Sequence, residues 1–430
     1  MKLPIFVLLS LLFCISCKEY EDVKIPEDAP RLNELSAQYE KLLAATEEGW
    51  IAEYQPTANS GIVGIYMQFH DNGTVDIQSN YMGYTDVQKE VRYRVAGMVR
   101  PELTFETECV WARLYHEAGG DYLFTIEAKG NDTLLLKPVR TPYDRPTCVV
   151  TRATPENIAL FQESIGTMEK LNRFVKNATA YFKNLELSGH QGSIRAFAEF
   201  NLDKGNISLT FQNERNDILT TERQYKVEGK RLLLLPSAII GQIEIQYLET
   251  GDIDGDGNML VTDAGLELSG KLTTAHTPPF PYKGSVDYYL DGDTYMQATE
   301  FSNAMQELIA PVQAIPNFGG IQVYVNRYTG AISPHTFTLY ADGLWGRYYV
   351  TFYTQGEDEI YYEYITTGGS TDGKKLADDN YAIMKPFLEK MCAPEGYTVI
   401  VAPDKKSFIL VNRADSRYWV KLTISERNNF

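Results

Sequence analysis

The chain has 430 residues, 44% of them hydrophobic, which is the composition of a globular protein and not of a disordered one. Its formal net charge of −17 argues against nucleic acid as a partner, because phosphate binding requires a basic surface. The same charge opposes electrostatic binding to an anionic membrane. A chain of this length usually forms more than one domain.

The N-terminus has the pattern of an export signal followed by a lipid-attachment cysteine. Lys2 precedes the apolar run Ile5–Ile15, which is too short to span a bilayer. Ser16 is a small residue, as cleavage requires, and Cys17 follows it directly. This pattern resembles a bacterial lipoprotein signal, so residues 1–16 are expected to be a signal peptide and Cys17 to carry the lipid. An ordinary cleaved signal with an incidental cysteine is the alternative.

Residues 17–30 are expected to form an acidic tether. Glu19, Glu21 and Asp22 carry negative charge, and the proline-containing segment 25–30 has neither a helical nor a strand period. Acidic residues directly after a lipidated cysteine resemble the surface-export signal of Bacteroidetes lipoproteins. The expected location is therefore the outer membrane, with the protein held by its acyl chains and facing the cell surface.

The rest of the chain shows weak self-similarity and divides into three units. These are residues 31–152, 153–276 and 299–430, with a proline-rich linker at 277–298. Each unit is expected to begin with an amphipathic helix and to continue with alternating strands. The predicted fold class is α+β: repeated units of one amphipathic helix followed by antiparallel strands forming curved sheets or partial barrels.

Each unit also contains a strand–turn–strand pattern with glycine in the turn. Glycine accepts the positive φ that a tight hairpin requires. The three predicted turns are Asp71-Asn72-Gly73, Asp203-Lys204-Gly205 and Ala341-Asp342-Gly343.

Several segments of the first unit resemble one family of Bacteroidetes lipoproteins, designated domain of unknown function 4302. The resemblance is best over residues 31–152, weaker to about residue 275 and poor beyond it. The family has no established catalytic residues, and its members accompany outer-membrane nutrient-uptake systems. The resemblance therefore implies an accessory binding role, with an outer-membrane transporter complex as a partner. The segments that carry it are Leu32-Asn33-Glu34, Tyr39-Glu40-Lys41-Leu42-Leu43, Gly49-Trp50, Glu53-Tyr54, Phe69-His70-Asp71-Asn72-Gly73, Pro101-Glu102-Leu103-Thr104-Phe105-Glu106-Thr107 and Gly120-Asp121-Tyr122-Leu123-Phe124.

One acidic segment matches the spacing of a twelve-residue calcium loop. Asp252, Asp254, Asp256 and Asp263 occupy positions one, three, five and twelve, and Asn258 would offer its backbone carbonyl at position seven. The final position is Asp where an EF-hand has Glu, and the preceding segment alternates like a strand. A structural calcium ion is predicted here, and an acidic hairpin tip is the alternative.

Aromatic residues concentrate in the third unit, in a chain that contains 29 tyrosines. Trp345, Tyr349 and Tyr353 are the candidate ligand-binding residues, and strand alternation places Tyr349 and Tyr353 on one face and Tyr348 with Phe352 on the other. One face is expected to be core, and the first could bind a sugar ring or a peptide side chain by stacking. Ordinary packing of an aromatic-rich sheet is the alternative.

No signature of a catalytic site is found. Residues 368–375 nearly match a phosphate-binding loop, but Lys375 stands where a hydroxyl is required, so a flexible loop is expected. The five histidines are scattered, and a disulfide between Cys109 and Cys148 is left open. We therefore expect a non-catalytic surface lipoprotein that binds a glycan, a peptide or a transporter component. An extracellular polymer hydrolase with paired carboxylates is the alternative.

Overall fold

Three closed antiparallel barrels of eight strands each follow one another along the chain. The signal peptide, the tether and Cys17 lie outside the described residues. Within the part that is described, no helix is both long and apolar enough to cross a membrane. The computed structural model describes residues 31–140, 145–176, 180–190, 192–263, 265–290, 294–325, 335–402 and 405–425.

The first barrel closes where its first strand pairs with its last, as Trp50 lies opposite Arg152. Alternate residues of its strands point inward; Val75 and Ile77, for example, are both fully buried. Its strands are β1 (Trp50–Tyr54), β2 (Val63–Phe69), β3 (Thr74–Ser79), β4 (Gln88–Val95), β5 (Glu102–Phe105), β6 (Leu123–Ala128), β7 (Thr133–Pro138) and β8 (Cys148–Arg152).

Two helices belong to the first barrel. Helix α1 (Leu32–Ala44) precedes it and buries Leu43. Helix α2 (Val110–Ala118) contributes Trp111 to the barrel core, where the indole ring packs 5.1 Å from the ring of Tyr54. Cys109 and Cys148 are both buried in this core with free thiols, so the disulfide that the sequence left open is not formed.

The second barrel is preceded by the long helix α3 (Pro155–Lys176). Thr154 begins the helix, because its hydroxyl accepts the Asn157 N–H at 3.3 Å while its own N–H donates to the Asn157 side chain at 2.6 Å. The strands are β9 (Phe182–Gly189), β10 (Gly192–Asn201), β11 (Asn206–Gln212), β12 (Ile218–Glu228), β13 (Arg231–Ile240), β14 (Ile243–Ile253), β15 (Met259–Asp263) and β16 (Leu268–Ala275).

The third barrel begins inside the segment predicted as a linker. Helix α4 (Ser285–Tyr289) lies there and the first strand begins there, and helix α5 (Asn303–Gln313) follows that strand instead of opening the unit. Helices α6 (Thr371–Asp379) and α7 (Tyr381–Met391) come later in the chain. The strands are β17 (Thr294–Phe301), β18 (Phe318–Val325), β19 (Thr336–Ala341), β20 (Leu344–Gln355), β21 (Glu359–Gly368), β22 (Tyr397–Val401), β23 (Ser407–Asn412) and β24 (Trp419–Ile424).

Two local expectations can be compared directly with the structure. The hairpin turns are confirmed, since Gly73, Gly205 and Gly343 all have positive φ. The flexible loop expected at residues 368–375 is wrong, because α6 begins at Thr371. Ser370 starts this helix, and its hydroxyl accepts the N–H of Gly373 at 3.2 Å.

The sheets also close more completely than expected. Curved sheets or partial barrels were predicted, whereas every strand of each barrel has two neighbours. Pairing is incomplete in places, however, because β12 from Ile218 to Arg223 pairs only with β11, and β21 beyond Ile360 pairs only with β20.

Candidate functional site

The predicted calcium loop forms the tip of the β14–β15 hairpin. Asp254 organises this turn, because one carboxylate oxygen accepts the N–H groups of Asp256 and Asn258, each at 3.0 Å. The predicted carbonyl ligand of Asn258 accepts the Asp254 N–H at 2.8 Å. The other carboxylate oxygen of Asp254 lies 2.7 Å from Lys271 Nζ, and this ion pair lowers the pKa of Asp254 to about 2.

The remaining two predicted ligands point elsewhere. Asp252 is exposed and lies 3.3 Å from Lys170 Nζ. Asp263 is 2% exposed at the far end of β15, about 13 Å along the strand from the hairpin tip, and its carboxylate accepts the Leu266 N–H. Within the described residues, no three His, Cys, Asp or Glu side chains are grouped closely enough to hold a metal ion. Calcium binding stays a prediction.

The aromatic residues predicted as a ligand site lie along the outer face of the third barrel. The predicted alternation is confirmed, because Tyr348 is fully buried in the core while Tyr353 is 49% exposed. Trp345 and Tyr349 are half-buried on the same outer face of β20. From Trp345 to Tyr353 this strand rises about 26 Å, so the three rings form a linear strip.

Neighbouring strands support two of these rings. Tyr353 lies opposite Tyr361 on β21, with ring centroids 4.6 Å apart and an interplanar angle of 4°. Tyr349 covers Gly368, where a Cβ atom would meet the tyrosine ring at 2.1 Å. Glycine is therefore required at position 368 for the Tyr349 ring to lie flat on the sheet. We call Trp345, Tyr349 and Tyr353 the aromatic strip.

Sequence reasoning missed a second set of polar residues, on the outer face of the middle barrel. Glu199 of β10 lies opposite Ser208 of β11, which in turn lies opposite Glu222 of β12. The Cα atoms of the two glutamates are thus two interstrand spacings apart, about 10 Å. No sequence motif marks this row, because its members are the ordinary outward residues of three alternating strands.

Three cavities meet along this row. One of about 820 Å³ lies between the first and second barrels and is lined by Glu222. A second of about 750 Å³ lies between the second and third barrels and is lined by both Glu199 and Glu222. A third of about 590 Å³ is lined by Glu199 and extends to Trp419. Glu222 lines the first and second cavities, and Glu199 lines the second and third. We call the three cavities together the inter-barrel groove.

At one end of the groove lie two charged groups with shifted pKa values, the carboxylate of Glu199 and the amine of Lys183. Glu199 is accessible to solvent from the groove, but surrounding protein partly desolvates its carboxylate and raises its pKa, which Lys183 opposes. Burial likewise lowers the pKa of Lys183, against the attraction of Glu199. Perturbed groups in a cleft are typical of functional sites.

Direct hydrogen bonds fix the first barrel against the second. The loop between β1 and β2 contacts the second barrel, where Ile62 N–H donates to the Tyr225 carbonyl at 3.1 Å. Gln224 donates from its side chain to the Ala58 carbonyl at 2.8 Å. Lys226 Nζ lies 2.7 Å from a carboxylate oxygen of Glu53.

An apolar cluster fixes the second barrel against the third. It includes Phe182 and Phe197 of the second barrel, Phe280 and Tyr282 of the proline-rich segment, and Val411 of the third barrel. The segment predicted as a linker therefore packs between two barrels through Phe280 and Tyr282. These contacts hold the walls of the inter-barrel groove in place.

A family model described as "Domain of unknown function (DUF4302)" matches residues 26–251, which is more than half of the chain. The chain belongs to the DUF4302 family. The resemblance seen in the sequence is thus confirmed, and the match ends within β14 of the second barrel. In this DUF4302 protein the aromatic strip lies outside the matched region, whereas the row from Glu199 to Glu222 lies inside it.

Two further comparisons add little. None of the curated proteins matches the chain. Among solved structures, the chain is similar to a putative DNA polymerase III beta subunit from Eubacterium rectale ATCC 33656, with 8% identity, a TM-score of 0.17, and coverage of 91% of this chain and 98% of that one. At this TM-score the likeness carries no argument about fold or function.

Proposed function

We propose that this DUF4302 protein is a non-catalytic lipoprotein of the outer-membrane surface and an accessory binding protein of a nutrient-uptake system. Its ligand is a glycan or a peptide, bound by stacking on the aromatic strip. The lipid on Cys17 and the acidic tether hold the barrels outside the cell. An outer-membrane transporter complex is the partner that would receive the ligand.

The observation that carries the binding role is the pairing of Tyr353 with Tyr361. The stack restrains the Tyr353 ring, because the ring lies parallel to that of Tyr361 with the centroids 4.6 Å apart. One ring face rests on Tyr361, and Tyr353 remains 49% exposed. A rigid, flat, half-exposed aromatic ring loses little conformational freedom on binding, and it presents the apolar surface that sugar rings and peptide side chains stack on.

Two finer features belong to the same proposal. Each barrel with its amphipathic helix is one copy of a repeated α+β unit, and in the third copy that helix, α5, comes after the first strand. A structural calcium ion is bound by the β14–β15 tip, with Asp254 and Asp256 as ligands once Lys271 is displaced. Asp252 and Asp263 would have to move to complete the predicted set.

The binding role is tested with the soluble protein from residue 31 onward on glycan and peptide arrays, followed by calorimetry with each hit. Tyr353→Ala is expected to weaken binding about tenfold, the equivalent of about 1.4 kcal/mol of stacking. Tyr115→Ala, which removes a half-buried ring of the first barrel, is the control and should bind normally. Unchanged affinity of Tyr353→Ala for every hit would contradict the proposal.

The lipid anchor is tested separately by fractionation of cells that express the full chain or Cys17→Ser. The wild-type chain is expected in the outer-membrane fraction, and the serine variant in the soluble fraction, because the hydroxyl is not acylated. Retention of Cys17→Ser in the membrane would show that the cysteine is not the anchor.

A polymer hydrolase is the second candidate, and one observation favours it. Glu199 and Glu222 lie in one row, with their Cα atoms about 10 Å apart. Inverting glycosidases hold their two carboxyl groups about 6.5–9.5 Å apart, a separation that these two side chains can reach. The raised pKa of Glu199 suits a general acid. Both side chains, however, project from the same wall, whereas catalytic carboxylates flank the bond that they cleave. Release of reducing ends by the wild type, and its loss in Glu199→Gln, would establish the hydrolase.

A further inference from the structure

We propose that the inter-barrel groove is a second binding site, separate from the aromatic strip, and that it takes an extended glycan chain running across β10, β11 and β12. This inference rests on the proposed binding function and assigns one ligand class to a site that the sequence did not indicate.

The length of the groove favours a chain over a small molecule. Its three cavities of about 820, 750 and 590 Å³ share lining residues, so one ligand can pass from the first barrel to the third without leaving the protein surface. Cavities that bind a single drug-sized molecule span roughly 300–1,000 Å³ each. The three cavities together are therefore large enough for a chain of several linked sugar units.

The floor of the groove offers both hydrogen-bond donors and hydrogen-bond acceptors. Ser208 supplies a hydroxyl between the two carboxylates, and the hydroxyls of Thr210 and Thr220 lie 2.9 Å from each other in the next row. One oxygen of Glu222 accepts from the Asn206 side chain at 3.0 Å, which orients the carboxylate. Hydroxyl groups both donate and accept, so closely spaced ligand hydroxyls match this floor.

A peptide is the competing occupant of the groove, because an extended peptide gains affinity by adding a strand to a sheet edge. Beside Glu222 the backbone of β12 from Ile218 to Arg223 pairs with β11 alone, and beside Glu199 the backbone of β10 from Ala198 to Asn201 also pairs with β11 alone. The hydroxyl groups of the floor and the stacking ring at its third-barrel end favour the glycan, and the peptide arm of the test distinguishes the two.

Aromatic side chains are available at the third-barrel end of the groove. Tyr288 lines the middle cavity and is 41% exposed, with its ring centroid 6.1 Å from that of Phe408. Lys405 Nζ lies 5.7 Å from the centroid of the Tyr288 ring. This combination of one stacking ring beside a polar floor is suited to a pyranose, which has an apolar face and a hydroxyl-bearing rim.

The groove is also pre-organised, because hydrogen bonds fix both of its walls. On the first-barrel side, Gly61 N–H donates to the Lys204 carbonyl at 2.7 Å. On the third-barrel side, Tyr181 N–H donates to the hydroxyl of Ser416 at 2.7 Å, and this serine also contacts His276 Nδ1 at 3.0 Å. Little ordering entropy is therefore lost when a ligand binds.

The test uses calorimetry on the protein from residue 31 onward with maltoheptaose, xylohexaose, mannohexaose and a matched set of unstructured peptides. Ser208→Trp places a large ring on the floor of the groove, and Glu222→Gln changes one acceptor without changing its shape. Glu267→Gln, an exposed glutamate of the same barrel, is the control. Circular dichroism and thermal unfolding of each variant establish that it is folded.

The expected result is two binding sites for one of the glycans in the wild type. Ser208→Trp should remove one site, Glu222→Gln should weaken the same site at least tenfold, and Tyr353→Ala should affect only the other. Unchanged glycan binding in both folded groove variants overturns this inference and leaves the proposed function standing. Loss of all glycan binding in Tyr353→Ala alone also overturns this inference and leaves the proposed function standing. Peptide binding that Ser208→Trp abolishes overturns the ligand class.

Absence of glycan binding at both sites in the wild type overturns this inference together with the glycan version of the proposed function. Cleavage of any of the glycans by the wild type, abolished by Glu199→Gln, overturns the non-catalytic role while confirming that the groove holds the chain.

Discussion

Gly61 of the first barrel donates its backbone N–H to the carbonyl oxygen of Lys204 of the second barrel at 2.7 Å. At this point the two backbones touch so closely that a Cβ atom on Gly61 would lie 2.4 Å from the Tyr225 carbonyl oxygen and 2.5 Å from that of Gly205. Glycine at position 61 is therefore a condition for the first junction of the inter-barrel groove.

Gly61→Ala is expected to lower the free energy of unfolding by about 1–3 kcal/mol, because the methyl group forces the two backbones apart. Urea unfolding followed by circular dichroism measures the change. Gly255→Ala, where nothing lies within 4 Å of the added Cβ atom, is the matched control and should be nearly neutral. Equal stability of the two variants would show that the two backbones can separate at this junction without cost.

The three buried or half-buried thiols should react slowly. Burial raises the pKa of Cys109 and Cys148 above the ordinary value for a thiol, and that of Cys392 to about 12. Because the thiolate is the reactive form, the native protein from residue 31 onward should show almost no fast reaction with Ellman's reagent at pH 8. After denaturation all three thiols should react. Only one reactive thiol in the denatured, unreduced protein would reveal a Cys109–Cys148 disulfide.

Local patterns along the chain predicted much of this fold. Gly73, Gly205 and Gly343 mark hairpins because a tight turn depends on only a few adjacent residues. Closure of the barrels depends on strands far apart in the chain, such as the pairing of Trp50 with Arg152, and no local pattern reports it. Thr294 at the start of β17 lay in a predicted linker because the nearby prolines dominated that stretch of sequence.

The ion pair between Asp254 and Lys271 gives a pH-dependent prediction. The folded pKa of Asp254 is about 2, below its ordinary value of 3.8, so the pair stabilises the fold above pH 4 and the contribution is lost as the pH falls toward 2. In Lys271→Met, the carboxyl titration followed by NMR should move up toward 3.8. A titration that stays near pH 2 would mean that the turn N–H groups, and not the lysine, set this pKa.

The same variant tests the calcium loop. Lys271 neutralises the carboxylate that a cation would need, so Lys271→Met is expected to bind Ca²⁺ more tightly than the wild type does. Calorimetry with Ca²⁺ at millimolar concentrations measures both. Asp254→Asn should abolish binding in either background. If neither the wild type nor Lys271→Met takes up calcium, the segment is an acidic hairpin tip and nothing more.

The candidate sites were only partly visible in the sequence. Tyr349 and Tyr353 could be placed on one face because alternation along a single strand is a local property. Glu199 and Glu222 could not be associated, because their proximity depends on the register of three strands and on the two barrels that flank them. Spacing alone suggested that Asp263 joins the calcium loop, but β15 carries it away from the hairpin tip.

Two tyrosines make the same hydrogen bond in different surroundings, which isolates the effect of burial. The Tyr54 hydroxyl accepts the Asp121 N–H at 2.6 Å in the core of the first barrel, and the Tyr247 hydroxyl accepts the Gly265 N–H at 3.1 Å at the surface. Tyr54→Phe leaves a buried N–H without a partner, so it should cost about 1–3 kcal/mol of unfolding free energy. Tyr247→Phe should cost less than about 0.5 kcal/mol, because water replaces the hydroxyl. Chemical unfolding of both variants measures the difference, and equal costs would contradict the buried position of the Asp121 N–H.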